Sequence, residues 1–222
     1  MNRLSRSVLF YMVGVSLVFA NRVPVARNGH GISAGDIVRE INLARQNPAR
    51  YAMYVEELRS HLNCSLLVSP EVVNWRMFEG LRAIDEAAGF LRTIRPEQSL
   101  TFSPGLCRAA ADHCADQAAG RKGHRGSDNS SPDTRLSRYG VWSGVWGENI
   151  AYGKISAREI VLALIIDDGQ PARSHRKNIF NPSFHYAGAA YGPHALYGNI
   201  CTIDFASGFV ERATKIPSGR RF

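Results

Sequence analysis

The sequence predicts an α+β fold in one domain, with a helical first half and a mixed second half. Between Asp36 and Ala118, apolar residues recur at the three- and four-residue spacing of helices. Near the C-terminus, residues 184–191 and 197–209 are predicted strands around a Gly192-Pro193 turn. Of the 222 residues, 45% are hydrophobic and 21% are charged, which is ordinary for a globular chain. This composition excludes a disordered or collagen-like protein.

Capping residues and prolines predict where four helices of the first half begin. Serine, aspartate and asparagine side chains accept hydrogen bonds from the first turn of a helix, and proline fits that turn without losing a bond. The predicted starts are Asp36, whose helix runs through Asn47, then Asn47-Pro48, Ser69-Pro70 and Ser103-Pro104.

The middle of the chain combines a long polar stretch with one apolar helix. Residues 120–147 are rich in Gly, Ser, Asp and Arg, and a loop of this length is typical of a functional or a disordered segment. Ser156 and Glu159 form a capping box. The following residues, 160–166, are apolar on every side, so this helix is predicted to be buried.

The first twenty residues predict a secretory signal. Arg3 and Arg6 precede an apolar run, residues 8–20, that is shorter than the ~20 residues a membrane span needs. Cleavage is expected after Ala20, with Ala26 as the second choice and an uncleaved anchor as the alternative. No later stretch is long enough to span a bilayer. We therefore expect a secreted protein with a flexible lead at 21–35, a domain at 36–210 and a basic tail at 211–222.

The net charge is basic but does not select a partner. Twenty-seven Lys and Arg against nineteen Asp and Glu give +8, and removing residues 1–20 takes away two arginines, which leaves +6. This charge suits a nucleic acid, a membrane surface or an acidic glycan. The short basic run at the C-terminus does not indicate specific nucleic-acid binding.

Export predicts that the four cysteines, Cys64, Cys107, Cys114 and Cys201, form disulfides. Seven residues separate Cys107 from Cys114 on one predicted helix, about 10.5 Å along its axis. A disulfide needs Cα atoms within about 7 Å, so this pair is excluded and two pairings stay open. Four free thiols are the alternative.

Three polar segments carry histidine and carboxylate side chains: residues 123–130, 147–153 and 167–179. Imidazole and carboxylate together bind a divalent metal or act as acid and base. The zincin, P-loop, Gly-x-Gly-x-x-Gly and Cys-x-x-Cys motifs are missing from the sequence. Residues 31–35 match a nucleophile elbow around Ser33, but no strand is predicted before them, so we interpret the match as chance.

Three motifs follow one another in these polar segments. They are His124 with Asp128-Asn129-Ser130-Ser131-Pro132 and Arg135, then Gly147-Glu148-Asn149-Ile150-Ala151, then His175-Arg176-Lys177-Asn178-Ile179. In this order they resemble the motifs of the CAP superfamily, which holds the cysteine-rich secretory proteins, antigen 5 and the plant pathogenesis-related proteins. The likeness extends over about residues 36–209 and is greatest to bacterial and protist members. It implies an α-β-α sandwich with a central antiparallel sheet, known as the SCP domain.

The resemblance implies a cleft with two histidines and two acids. His124, Glu148 and His175 match by motif, and the two histidines are the implied metal ligands. The second acid is Asp167 or Asp168, where the family has Glu, and Asp167 fits the helical spacing better. The motif at His175 also departs from animal and plant members, since Ser174 stands where Gly is usual and Arg176-Lys177-Asn178 replaces aromatic-Thr-Gln.

These residues support three functional hypotheses. The leading one is an extracellular binding module for a lipid, a peptide or a glycan, with a cleft that holds a divalent cation such as zinc. The resemblance implies no single shared reaction, so no catalytic step is assigned. The alternative is a zinc-dependent hydrolase in which zinc activates water and a carboxylate acts as base. The third is a surface protein that binds an anionic envelope by charge alone.

Two residue roles stay open at this point. Glu148 either belongs to the cleft or holds its loop by accepting backbone N–H groups, and both can be true. The aromatic residues Tyr139, Trp142 and Trp146 either line a ligand groove or pack beneath the polar loop.

Overall fold

A four-stranded sheet lies between two groups of helices in the computed structural model, which describes residues 31–63, 66–67 and 75–213. The predicted signal at 1–20, Cys64 and the end of the basic tail lie outside these residues. The predicted α-β-α sandwich is confirmed.

The helices and strands follow one another in a mixed order. The helices are α1 (Ala34–Gln46), α2 (Pro48–Glu57), α3 (Leu81–Thr93), α4 (Pro104–Gln117), α5 (Pro132–Tyr139), α6 (Ala157–Ile166) and α7 (Ser174–Ile179), with a 3₁₀ turn at Leu58–His61. The strands are β1 (Leu62–Asn63), β2 (Leu66–Leu67), β3 (Trp75–Arg76), β4 (Thr101–Phe102), β5 (Gly140–Tyr152), β6 (Tyr186–His194) and β7 (Gly198–Glu211). In the part of the chain that the structure describes, none of these helices has the length and apolar character needed to cross a membrane.

The main sheet has the order β4-β6-β7-β5 and is antiparallel except at one edge. β7 pairs antiparallel with both β5 and β6, whereas the short β4 runs parallel to β6. In this register Glu148 of β5 lies directly opposite Asp204 of β7. β1, β2 and β3 form a second, smaller antiparallel sheet.

The two faces of β7 pack against different helices because successive strand residues point to opposite sides. Ile203 and Phe205 belong to the larger core, which also contains the apolar faces of α1, α2, α3 and α6. On the other side, Ala206 packs with Leu106 of α4 and Leu136 of α5. The sheet is therefore covered on both faces.

Most of the predicted helix starts are confirmed. Ser103 caps α4 by accepting from the Leu106 N–H, and Pro48 lies in the first turn of α2. Ser156 caps α6 in the same way, as predicted.

At α1 the cap is Ser33, and Asp36 is its reciprocal partner. The Asp36 N–H donates to Ser33 Oγ over 3.1 Å, while the Ser33 N–H donates to Asp36 Oδ2 over 3.2 Å. This capping box gives a structural role to the serine of the chance elbow match.

The helix predicted to begin at Ser69-Pro70 begins instead at Leu81. The two residues of the predicted start lie outside the described residues, and Trp75–Arg76 pairs with β2 as a strand. Gly80 adopts φ +62° directly before α3, a backbone conformation that ends the preceding segment and that glycine adopts without strain.

The prediction of one long loop at 120–147 is wrong. The segment contains all of α5, which begins at Pro132, and more than half of β5. β5 forms because it pairs with β7 over most of its length, and that partner is distant in sequence.

The hairpin turn also lies later than predicted. Gly192 and Pro193 belong to β6, and the chain turns between His194 and Gly198. Proline has no N–H, so it fits a strand only where no neighbouring strand needs that donor. β4 pairs with β6 only at Tyr186 and Ala187, which leaves the β4 side of β6 open at Pro193.

The predicted disulfides are wrong for the described cysteines. Cys107, Cys114 and Cys201 are free thiols, and each open pairing required a bond between two of them. Cys114 contacts Thr202 on the α4 side of β7, whereas Cys201 belongs to the core on the opposite side. Neighbouring residues of a strand point to opposite faces, so the sheet separates these two thiols.

A buried arginine connects α1 to the segment that follows α7. Arg45 is fully buried and donates to the backbone carbonyls of Gln98 (2.8 Å), Ile179 (2.5 Å) and Asn181 (3.1 Å). The bonds to Ile179 and Asn181 satisfy carbonyls at and after the end of α7 and so fix the helix that carries His175.

Candidate functional site

Each histidine of the predicted cleft pairs with one carboxylate through the same ring atom. His124 Nδ1 lies 2.7 Å from Glu148 Oε1, and His175 Nδ1 lies 2.6 Å from Asp167 Oδ1. An ionised carboxylate only accepts hydrogen bonds, so both Nδ1 atoms carry the hydrogen. Among the residues described, neither Nε2 makes a hydrogen bond, and the side chains of His124 and His175 are 52% and 21% exposed.

Arg135 holds Glu148 and the loop of His124 together. Its Nη2 donates to Glu148 Oε2 over 2.7 Å and to the carbonyl of His124 over 3.1 Å. Its Nη1 donates to the carbonyl of Ser130 over 3.1 Å. Both Arg135 and Glu148 are buried, so this ion pair holds the His124 ring from the protein interior.

Asp167 ends α6 and caps α7 at once. It adopts the left-handed conformation (φ 54°, ψ 41°), which Asp tolerates better than most residues. Its Oδ2 accepts from the backbone N–H groups of His175 (2.9 Å) and Arg176 (3.4 Å). The carboxylate therefore orients both the backbone and the ring of His175.

The neighbouring Asp168 lies elsewhere. Its carboxylate accepts from the backbone N–H groups of Phe78 (2.6 Å) and Glu79 (2.8 Å), ahead of α3. Of the two acids that the sequence leaves open, the structure thus brings Asp167 to His175.

Arg173 fixes the turn between Asp167 and His175. It donates to the Asp167 carbonyl over 2.8 Å and to the carboxylates of Glu79 (2.6 Å) and Glu86 (2.6 Å). Its guanidinium lowers the pKa of both glutamates to about 2. Ion pairs on both sides hold this turn at neutral pH.

Two asparagines connect the two histidine–carboxylate pairs. Asn149 donates through Nδ2 to the carbonyl of His175 over 3.0 Å. Asn178 donates to Asn149 Oδ1 over 2.8 Å and to the Glu148 carbonyl over 3.5 Å. This amide chain fixes β5 against α7, so the two pairs form one arrangement.

The two Nε2 atoms are the ring nitrogens of this arrangement that have no partner among the described residues. The carboxylates of Glu148 and Asp167 are used on the histidines and their surroundings. Within the described ranges, no group of three or more His, Cys, Asp or Glu side chains is arranged to hold a metal ion. A carboxylate on Nδ1–H directs the lone pair of Nε2 outward, which is how metal-ligating histidines are oriented.

Asp128 and three further histidines, His113, His185 and His194, have structural roles. Asp128 accepts from the Ser130 N–H and from Arg138, as expected of a turn residue. His113 is buried with Nε2 near the Gly123 carbonyl, and His194 bonds the Arg121 carbonyl. His185 is exposed and bonds the Ser207 carbonyl.

The loop aromatics divide between packing and exposure. Tyr139 donates to Asp112 over 2.8 Å, and Trp142 packs against the cluster that contains Leu106, Leu136 and Ala206. Trp146 remains 37% exposed. Tyr139 and Trp142 therefore pack beneath the segment.

Sequence reasoning missed the partners of Glu148. Arg135 stands in the first motif, but no role was predicted for it. Asp204 is fully buried opposite Glu148, and burial together with the Glu148 carboxylate raises its pKa well above the usual range. A lone acid in the apolar run 200–205 was the signal that could have identified it.

Comparison with known proteins shows partial matches. A 68-residue segment is 35% identical to the protein YkwD of Bacillus subtilis (strain 168), and the match covers 31% of this chain and 24% of that protein. This chain thus matches about a quarter of the relative's length.

Three solved structures are similar over parts of the chain. An outer surface protein of Borrelia burgdorferi is 18% identical with a TM-score of 0.42, covering 50% of this chain and 78% of that one. An extracellular protein of Bacillus anthracis with an SCP domain is 19% identical with a TM-score of 0.41, covering 57% and 39%. A cysteine-rich secretory protein of Staphylococcus aureus is 12% identical with a TM-score of 0.38, covering 64% and 46%.

The family match covers more than half of the chain. The model of the cysteine-rich secretory protein family, CAP, matches residues 86–205, a range that includes both histidine–carboxylate pairs and Asp204. The chain therefore belongs to the cysteine-rich secretory protein (CAP) family.

Proposed function

We propose that this protein is an extracellular binding module whose cleft, formed by His124, Glu148, Asp167 and His175, binds a polar ligand together with a divalent cation such as zinc. One observation carries the proposal: each imidazole gives Nδ1 to a carboxylate and keeps Nε2 free. Two partly exposed histidines that are held through the same ring atom, Nδ1, suit a shared ligand.

In this proposal the two Nε2 atoms hold the cation. Glu148 and Asp167 fix the orientation of the two rings without binding the metal themselves. A bound zinc ion would supply positive charge and open coordination positions. Oxygen atoms of a lipid headgroup, a peptide or a glycan would fill those positions.

The use of the carboxylates favours binding over hydrolysis. Both oxygens of Glu148 accept hydrogen bonds, from His124 and Arg135, and both oxygens of Asp167 accept from His175. A general base needs a carboxylate oxygen within reach of the attacking water. The zinc-dependent hydrolase is therefore the second candidate, and it predicts turnover of ester or peptide substrates that Glu148→Gln abolishes.

Zinc titration by calorimetry tests the metal claim on the protein without residues 1–20. We expect the wild type to bind zinc near pH 7 and His124→Ala or His175→Ala to weaken binding at least about tenfold. His185→Ala is the matched control, because this exposed imidazole lies outside the cleft and bonds a backbone carbonyl. Absence of zinc binding by the wild type would contradict the proposal.

Ligand binding separates the cleft from the net charge. Lipid vesicles, peptide pools and glycan arrays are tested with and without zinc, at low and high salt. Cleft-dependent binding should be lost in His175→Ala and largely survive salt. Binding that ignores the cleft variants and falls steeply with salt would favour the charge-driven surface protein instead.

Secretion rests on the predicted signal at residues 1–20. N-terminal sequencing of the exported protein tests it, with Asn21 expected as the first residue and Arg27 as the second choice. An intact Met1 on the exported protein would contradict cleavage.

A further inference from the structure

Asp204 is a buried acid without a hydrogen-bond donor. Its side chain is fully buried, and neither carboxyl oxygen receives a hydrogen from any side chain or backbone group in the described ranges. A buried ionised carboxylate without donors is very unfavourable. This group therefore needs a physical explanation.

The Glu148 carboxyl supplies the missing partner only if a proton lies between the two groups. Glu148 and Asp204 are directly opposite on adjacent strands, and their side chains come within hydrogen-bonding reach. Two ionised carboxylates are both acceptors and repel each other at this distance. One proton removes the repulsion and creates an O–H···O⁻ bond, which is among the stronger hydrogen bonds in proteins.

The neighbours decide which acid carries the proton. Glu148 already accepts from the Arg135 guanidinium on one oxygen and from His124 on the other, so it is placed as the acceptor of the pair. Asp204 has no such donors. The Nε–H of the nearby Arg135 has no partner among the residues described, although an ionised Asp204 would attract it. This arrangement is the one expected when Asp204 is neutral.

We propose that Asp204 is a neutral carboxylic acid that donates its O–H to Glu148 and so acts as a positioning residue for the His124 pair. With Arg135 and His124 it gives Glu148 a third donor, which locks the carboxylate that orients the imidazole. The inference goes beyond cation and ligand binding and holds whether or not either binds.

The surroundings of Asp204 add no competing base. From β5 it faces Glu148, from α5 Arg135, and from α4 the thiols of Cys107 and Cys114. Burial raises the pKa of both thiols, so they remain neutral at neutral pH. Arg135 is the only cation in this set, and it is bonded to Glu148.

Carboxyl ¹³C NMR of the wild-type protein is the first test. The Asp204 γ-carboxyl signal should be that of a protonated acid near pH 7, while the Glu148 signal should be that of an anion. An ionised Asp204 at this pH, or a protonated Glu148 beside it, would overturn the proposal.

Native charge measurement on a variant is the second test. Asp204→Asn should leave the net charge at neutral pH unchanged and keep the ¹⁵N signals of the His124 ring, because an amide can also donate to Glu148. The control Asp85→Asn, at an exposed acid, should add one positive charge. Asp204→Leu removes the donor and should shift the His124 signals while those of His175 stay unchanged. A charge change in Asp204→Asn, or unmoved His124 signals in Asp204→Leu, would contradict the assignment.

Discussion

Asp167 Oδ1 lies 2.6 Å from His175 Nδ1, and the carboxylate reaches this position from the left-handed residue that ends α6. One side chain thus terminates one helix, caps the next and fixes the ring between them. The geometry of the second histidine depends on the backbone conformation at Asp167.

Replacing Asp167 should therefore cost stability. Asp167→Ala removes the acceptor for two backbone N–H groups and the His175 ring, and Ala tolerates the left-handed region less well than Asp. We therefore expect a loss of about 3 kcal/mol in the free energy of unfolding. Asp167→Asn keeps a carbonyl acceptor and tolerates this conformation, so its loss should be about half. Urea denaturation measures both variants, and an Ala variant as stable as the wild type would contradict the described role.

The Arg135–Glu148 ion pair should show strong coupling. Arg135→Met leaves the buried Glu148 without its cation and should cost about 3–5 kcal/mol. The double variant Arg135→Met/Glu148→Leu should lose much less than the sum of the single variants, because it leaves neither charge unpaired. A double-mutant cycle by chemical denaturation measures this, and additive losses would show that the two side chains act independently.

Lys154 should make stability depend on alkaline pH. Its Nζ lies 4.0 Å from the centre of the Trp75 ring and 3.9 Å from Glu159, and burial lowers its pKa from 10.5 to about 8. Between about pH 8 and pH 10.5 the Lys154 amine is protonated in the unfolded chain but neutral in the folded protein. Raising the pH through this range therefore increases the free energy of unfolding, because the buried amine no longer has to give up its proton on folding. The wild type should gain up to about 3 kcal/mol relative to Lys154→Met.

The difference between the two proteins isolates this lysine. Burial raises the pKa of the three described thiols, so their ionisation lowers the free energy of unfolding at alkaline pH. This effect is common to both proteins and cancels in the difference. Denaturation at neutral and alkaline pH gives the comparison. A constant difference between wild type and Lys154→Met would contradict the shifted pKa.

The cysteines that the structure describes should be thiols in the purified protein. Alkylation under denaturing conditions without reductant, followed by peptide mass spectrometry, should label Cys107, Cys114 and Cys201. In the native state the buried Cys114 and Cys201 should react slowly. A peptide that joins two of these three cysteines would be inconsistent with the packing of β7.

Local signals predicted most helix starts and the two C-terminal strands, β6 and β7, but they did not predict β5. Ser103-Pro104 and the Ser156–Glu159 box are contained within a few residues, so the sequence alone identifies them. β5 carries Gly and Ser around an irregularity at residues 143–146, and it is a strand because β7 pairs with it. A local sequence pattern carries no information about a pairing strand that lies far away in the sequence, so β5 could not be predicted from it.

The same distinction applies to the site. Motif resemblance identified His124, Glu148 and His175. It could not choose between Asp167 and Asp168, because the two acids are chemically identical and differ only in the direction in which the backbone points their side chains. Asp204 comes to Glu148 across a strand pair, so its place could not be derived from motif spacing.

The ¹⁵N NMR spectrum of the two imidazoles, recorded with and without zinc, tests the proposed cleft most sharply. We expect His124 and His175 to carry hydrogen on Nδ1 at neutral pH, and zinc to shift the Nε2 signals of both rings. Hydrogen on Nε2 in either ring, or spectra that zinc leaves unchanged, would contradict the proposed cation site.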